Sequence, residues 1–164
     1  MNTTTKTSTA VVALGSNIGD KVANLDRAVE LLTGAATDVR LLERSRNYRT
    51  PPWGNTDQDW FINAAMTVET ELDPHQLLRR CLEVEEQMGR IRAEKWGPRV
   101  IDLDVLLYED VALSDAELTL PHPQITKRAF VLAPLADLLP QQSIEGKTVT
   151  EWLAGIDREG IEPI

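Results

Sequence analysis

Hydrophobic positions change period several times along the chain, and each change marks an element. Val11 to Leu14 is a short, β-branched-rich run that stops at Gly15-Ser16-Asn17, which predicts a buried strand running into a turn. Asp20 then stands as an N-cap before the apolar positions Val22, Leu25, Val29 and Leu32, with Gly34 placed to end that helix in a left-handed conformation. Val39 to Tyr48 reads as one long second strand, halted by Thr50-Pro51-Pro52-Trp53-Gly54, whose prolines preclude regular pairing. After a loop to about Asp59, Phe61 to Thr70 alternates as a half-buried third strand. Ile62, Ala64, Met66 and Val68 face one way, and Phe61, Asn63, Ala65, Thr67 and Glu69 the other.

Asp73-Pro74 opens a second helix as N-cap and first helical residue, and Leu77, Cys81, Val84 and Met88 form its apolar stripe up to Gly89. A polar loop from Arg90 to Arg99 follows. Val100 to Tyr108 is the fourth strand, with Ile101, Leu103, Val105 and Leu107 on one face and Asp102 and Asp104 on the other. Beyond it the pattern predicts a short hairpin around Leu113 and Leu118, a Pro121-His122-Pro123 turn, and helical pieces near Val131 to Leu138 and Val149 to Ile156. The order strand, helix, strand, strand, helix, strand predicts an α+β, ferredoxin-like fold, a split βαβ (βαββαβ) two-layer sandwich with a C-terminal extension. Both helices would cover one face and leave the other open, so Phe61, Asn63, Asp102 and Asp104 would share the uncovered surface.

The 164 residues, 42% hydrophobic and 26% charged, make one soluble domain the expectation, over residues 9–164 after a flexible leader at 1–8. With 17 basic and 26 acidic residues the net charge is −9, which argues against a surface built throughout for nucleic acid or anionic lipid. No apolar stretch near the amino end is long enough for a membrane helix, and the single Cys81 cannot form an internal disulfide, so the cytoplasm is the default location. Against that acidic background, residues 90–99 carry Arg90, Arg92, Lys95 and Arg99 against one Glu94, a local charge of +3.

Two aspartates at i and i+2 on a strand point the same way with Cβ atoms about 6.5–7 Å apart, so Asp102 and Asp104 can converge on hard cations. A solvated strand face is the plainer alternative, but Asp has poor strand propensity and both lie in an otherwise apolar strand. The adjoining basic loop suits a metal-polyphosphate ligand, with carboxylates on Mg²⁺ and guanidinium forks on phosphate oxygens, or else a solvated surface loop. His122, fixed between two prolines, aims at a phosphate or is an ordinary turn residue. Gly146-Lys147-Thr148 is not a P-loop, because Gln141 stands where its first glycine belongs. Two histidines exclude a multi-His zinc site. An RNA-binding module shares this architecture, but its central strands need stacking aromatics where this chain has two acids. A small-ligand regulatory domain of the same shape has no evident need for a basic loop beside paired acids.

Taken together, Ala13-Leu14-Gly15-Ser16-Asn17, Tyr48-Arg49-Thr50-Pro51-Pro52-Trp53-Gly54, Phe61-Ile62-Asn63-Ala64-Ala65, Gly89-Arg90-Ile91-Arg92, Trp96-Gly97-Pro98-Arg99-Val100-Ile101-Asp102-Leu103-Asp104, Leu120-Pro121-His122-Pro123 and Arg128-Ala129-Phe130, in this order, resemble the 6-hydroxymethyl-7,8-dihydropterin pyrophosphokinase family. The resemblance implies an ATP-dependent diphosphotransferase of folate biosynthesis that passes pyrophosphate from ATP to the pterin's hydroxymethyl oxygen, releases AMP and uses two Mg²⁺ ions. It implies that Asp102 and Asp104 hold the metal and that Arg90 and Arg99 neutralise charge during transfer. Nucleotide contacts would come from Arg92, Trp96, Val105, Thr119, His122, Arg128 and Glu85. Thr50, Pro51, Trp53 and Asn63 would read the pterin edge, and Phe61 and Phe130 would stack on its ring. No nucleic-acid or membrane partner is implied, and a monomer is expected. The chain departs from the family pattern at Leu82, Glu117 and Pro123, all on the nucleotide side.

Overall fold

A computed structural model describes residues 6–34, 37–52, 59–89 and 100–164. In chain order the elements are β1 (Ser8–Ser16), α1 (Lys21–Thr33), β2 (Val39–Arg44), β3 (Tyr48–Thr50), β4 (Phe61–Thr70), α2 (Pro74–Gln87), β5 (Asp102–Tyr108), β6 (Leu113–Ser114), β7 (Thr119–Leu120), α3 (Ala129–Leu138), β8 (Ser143–Ile144), β9 (Lys147–Thr148), α4 (Val149–Ala154) and β10 (Glu162–Pro163). The protein is thus α+β, with an antiparallel main sheet. β1 begins at Ser8, the last residue of the expected leader, and residues 1–5 lie outside the described residues.

Both long helices start where their caps predict. The Asp20 carboxylate accepts from the Ala23 N–H at 3.1 Å, and Asp73 and Gln76 form a reciprocal capping box ahead of Pro74. Leu25, Ala28, Val29 and Leu32 are the buried stripe of α1, while Val22, expected in that stripe, is 37% exposed in the first turn. Gly34 does not end α1 in a left-handed conformation. Its φ is −64°, and its N–H simply continues the ladder to the Glu30 carbonyl at 2.8 Å.

In the main sheet β5 pairs with β1, β1 with β4, and β4 on its far side with both β2 and β3, every pairing antiparallel. The chain therefore passes over β4 through α1 and over β1 through α2. Both helices lie on one face, where Val12, Leu14, Met66, Val68, Leu103 and Val105 meet Leu25, Leu32, Leu77 and Cys81.

The expected long second strand is two strands. The β2 register shifts between Leu41 and Glu43, and at the break Ser45 takes over the pairing: its N–H donates to the Ala65 carbonyl at 2.9 Å and its hydroxyl accepts from the Ala65 N–H at 2.8 Å. The fourth strand starts at Asp102 rather than Val100. A register shift against Val11 and Val12 adds a residue at Leu106, so Leu107 joins the opposite face and Tyr108 the helix-side core, reversing the simple alternation.

The second face is not left open along its length. α3 and α4 bury Val11, Ala65, Leu106 and Leu107 beneath Leu132, Leu135 and Val149, so half of the sheet has helices on both faces rather than forming a two-layer sandwich. α3 is clasped to β3 by the Asp137 carboxylate, which accepts from the Tyr48 hydroxyl at 2.9 Å and from Arg46 Nη2 at 3.0 Å. Among the described residues, α3 and α4 leave uncovered the end of the sheet where Phe61, Asn63, Asp102 and Asp104 are half-buried. β10 adds a further strand outside β3. Gly146, φ +86°, turns the β8–β9 hairpin, and Thr148 N-caps α4, so Gly146-Lys147-Thr148 serves a hairpin and a cap.

Candidate functional site

The register of the three central strands builds the floor. Gly15 of β1 pairs with Asp102 of β5 on one side and with Asn63 of β4 on the other, so all three face the same way. Strand spacing puts the Cα atoms of Asp102 and Asn63 about 10 Å apart with no side chain between them. In the next row Ala13 lies between Asp104 and Ala65. A methyl group on Gly15 would sit 2.6 Å from Asn63 Oδ1 and 3.6 Å from the Phe61 ring, so the glycine is where the Asn63 amide and Phe61 lean in. Gly15 and Ser16 belong to β1 and not to a turn.

On the β3 side, the Asn63 amide donates to Thr50 Oγ1 at 2.7 Å, and Thr50 is 1% exposed. That bond fixes which way the amide points. Thr50 pairs with Phe61 in the ladder, so the hydroxyl, the amide and the ring lie on one face at the mouth of the segment that joins β3 to β4.

The bulge in β5 has a use. The Leu106 carbonyl accepts from the His122 N–H at 2.9 Å, which ties the Pro121-His122-Pro123 turn to the strand that carries the aspartates. His122 Nδ1 accepts from the Gln124 N–H at 3.1 Å, so Nε2 is the ring nitrogen not used in that bond. Burial, together with the Arg128 charge, holds the His122 imidazole below its ordinary pKa, against the opposing pull of Asp102. Burial likewise lowers Arg128, and Asp104 and Asp102 oppose that shift. The two acids, His122 and Arg128 therefore share one electrostatic neighbourhood. The Arg128 guanidinium also lies 5.6 Å from the centroid of the Phe130 ring, at the start of α3.

The donor set fits a hard cation. Asp102 and Asp104 are half-buried carboxylates on one face of one strand, with oxygen ligands only. Among the described residues there is no group of three or more His, Cys, Asp or Glu placed to hold a metal ion. From beneath, Glu85 of α2, 1% exposed, accepts from the N–H of Leu103, the residue between the two aspartates, at 2.8 Å. Nearby Cys81 is buried, and that burial, aided by the Glu85 and Asp104 charges, pushes its thiol up to about 12.

Of the residues expected at a site, Thr50, Phe61, Asn63, Asp102, Asp104, His122 and Arg128 converge on this end of the sheet. Pro51 follows Thr50 at the surface, and Phe130 is half-buried in the first turn of α3. The Val105 side chain lies in the helix-side core, 2% exposed, leaving only its backbone available to a ligand. Thr119 is half-buried in the small β6–β7 hairpin. Glu85, expected at the nucleotide, lies under the strand. Trp53, Arg90, Arg92, Lys95, Trp96 and Arg99 lie outside the described residues. Sequence reasoning missed two structural parts of the site: Gly15 as an opening in the floor, signalled only by a glycine after an apolar run, and Glu85 as a brace, signalled by an acid next to a helix's apolar stripe.

Residues 11–140 match a family model described as 7,8-dihydro-6-hydroxymethylpterin-pyrophosphokinase. The chain is 56% identical over 155 residues to the 2-amino-4-hydroxy-6-hydroxymethyldihydropteridine pyrophosphokinase of Methylorubrum extorquens, a match that covers 94% of this chain and 98% of that one. The protein of the same description from Bacillus subtilis is 41% identical, over 93% of this chain and 87% of its own. Among solved structures, Plasmodium falciparum HPPK-DHPS crystallised with pteroate has the same fold with a TM-score of 0.73 at 16% identity, over 99% of this chain. This chain spans about half of that longer one, 47% of its length.

Proposed function

The chain belongs to the 7,8-dihydro-6-hydroxymethylpterin-pyrophosphokinase family, and on that premise we propose that it transfers the terminal pyrophosphate of ATP to the hydroxymethyl oxygen of 6-hydroxymethyl-7,8-dihydropterin, releasing AMP. The observation that carries the reading is the row Asp102–Gly15–Asn63: a cation-binding carboxylate and an amide held by Thr50 face each other across a gap in the sheet floor. An alcohol held against Asn63 thereby lies beside phosphates held at Asp102 and Asp104.

The pterin edge is read by Thr50 and Asn63, with Pro51 and Trp53 beside them, and the ring stacks on Phe61 and Phe130. Each aromatic contact is worth about 0.5–1.5 kcal/mol beyond burial. Asp102 and Asp104 would hold the two Mg²⁺ ions, which would neutralise triphosphate charge and acidify the hydroxyl. His122 and Arg128 face the triphosphate, and their lowered affinity for protons is offset once an anion arrives. By family resemblance Arg90 and Arg99 take up charge as it shifts, Arg92 and Trp96 close over the nucleotide, and Thr119 and the Val105 backbone belong to its surroundings, while Glu85 braces the strand from beneath. The hydroxymethyl oxygen forms a bond to the β-phosphorus, the bond from that phosphorus to the oxygen bridging the α-phosphate breaks, and the hydroxyl proton is released.

We read the fold as ferredoxin-like over a single domain of residues 9–164. Support comes from the strand order β5-β1-β4-β2 and from the two helices that each pass over one strand. No helix among the described residues is long and apolar enough to cross a membrane, and a cytoplasmic monomer is the accompanying reading. The test is to mix protein, ATP, Mg²⁺ and the pterin and identify the nucleotide formed. AMP in step with the pterin product supports the reading, and ADP refutes it.

A further inference from the structure

The last residues of the chain are tied to β3, on the side of the sheet that carries Thr50. Glu162 pairs with Arg49 and Pro163 with Tyr48, and the Ile164 N–H donates to the Asn47 carbonyl at 3.0 Å. β3, which carries Thr50, is only three residues long and has β4 as its other neighbour. So short a strand frays readily when paired on one side alone, and β10 supplies the second side.

The turn before β10 makes a second attachment. Gly160 has a φ of +83°, and a methyl group there would lie 3.4 Å from Trp60 Cη2 and 3.5 Å from two ring carbons of Pro51. Pro51 follows Thr50, and Trp60 precedes Phe61. The two ends of the segment joining β3 to β4 therefore meet against one glycine. Arg49 adds to the clamp, its guanidinium 4.0 Å from the centroid of the Trp60 ring. Internal bonds shape the turn: Asp157 Oδ1 accepts from the Glu159 N–H at 2.9 Å, and the Arg158 carbonyl from the Ile161 N–H at 3.1 Å. The turn and β10, residues 157–164, lie beyond residue 140, where the family match ends.

We infer that Asp157–Ile164 is a strap that sets pterin affinity by holding Thr50, Pro51 and Trp60 from outside the pocket. The inference rests on the pterin reading of Thr50, Asn63 and Phe61. Strap residues are positioning residues that touch no reacting atom, so loosening them should raise the Kd and KM for pterin and leave nucleotide binding alone.

Two full-length variants test it. Gly160→Val opposes the left-handed backbone and crowds Trp60 and Pro51, and Glu162→Pro removes a backbone N–H from β10. Binding of 6-hydroxymethylpterin and of a non-hydrolysable ATP analogue with Mg²⁺ is titrated separately. The strap predicts pterin Kd raised about tenfold, the effect of ~1.4 kcal/mol, with the nucleotide Kd within twofold. Pterin binding that stays within twofold in both variants overturns the strap alone, and so does an equal weakening for both ligands. Wild-type protein that binds no pterin overturns the pterin reading and the strap with it.

Discussion

Replacing Gly15 with alanine tests the floor of the site at its narrowest point. The added methyl would lie 2.6 Å from Asn63 Oδ1, about 0.8 Å inside the 3.4 Å at which ordinary contact begins. Asn63 cannot turn aside without cost, because its amide donates to the buried Thr50 hydroxyl at 2.7 Å. If it rotates, that bond is lost, for about 1 kcal/mol net. If β1 moves instead, the strain of overpacking is about 1–3 kcal/mol. Either response misdirects the amide proposed to face the pterin, and an unsatisfied polar pairing with a ligand costs about 1–3 kcal/mol. Each 1.4 kcal/mol is tenfold, so a loss of about 1–3 kcal/mol should weaken 6-hydroxymethylpterin binding in Gly15→Ala by about five- to 150-fold. The melting temperature should fall by only about 2–4 °C per kcal/mol of lost stability. Titration of pterin fluorescence beside calorimetric melting separates the two effects. A folded variant whose pterin affinity stays within twofold of the wild type would refute the claim that Asn63 is aimed through the gap at Gly15.

Other substitutions probe other parts. Asp104→Asn should leave the fold intact, lower Mg²⁺ affinity in a titration calorimeter and remove most turnover; unchanged turnover contradicts the metal assignment. Asp137→Asn weakens the clasp between α3 and β3, at a cost of about 1 kcal/mol at neutral pH. Burial works to raise the Asp137 carboxyl, but the hydrogen bonds from Arg46 and Tyr48 prevail and hold it below its ordinary value. Its stabilisation is therefore complete above the unfolded value of about 3.9 and lost as pH falls through the lower folded value. Urea melts of wild type and variant should differ at pH 7 and converge in strong acid; a gap that widens on acidification contradicts the sign. Cys81, its thiol raised to about 12 by burial, should resist a thiol reagent at pH 8 until the protein unfolds, and rapid labelling of the native state would contradict that burial.

Local rules carried far in this chain where a residue's partner is near in sequence. Asp20 and Asp73 cap their helices because an N-cap needs only the next turn. The alternation in β4 placed Phe61 and Asn63 together because a strand's period is fixed by its own backbone. The same reasoning paired Asp102 with Asp104. It failed where a distant element decides. Leu107 changes face because β1 imposes a bulge on β5, and the two-strand break at Ser45 is set by Ala65 of β4. The covering of Val11 and Ala65 by α3 could not be read from weakly patterned residues after Tyr108. At the candidate site, the shared face of Phe61, Asn63, Asp102 and Asp104 was legible, but the opening at Gly15 and the Glu85 brace required knowing which strands and helices lie side by side.

The most direct measurement follows the phosphorus itself. Protein, Mg²⁺ and 6-hydroxymethyl-7,8-dihydropterin are incubated with ATP labelled in its β-phosphoryl group, and pterin and nucleotide are separated. Transfer of both terminal phosphoryl groups in one step puts the label on the pterin and leaves unlabelled AMP. Label retained in ADP, with a singly phosphorylated pterin, would contradict the account.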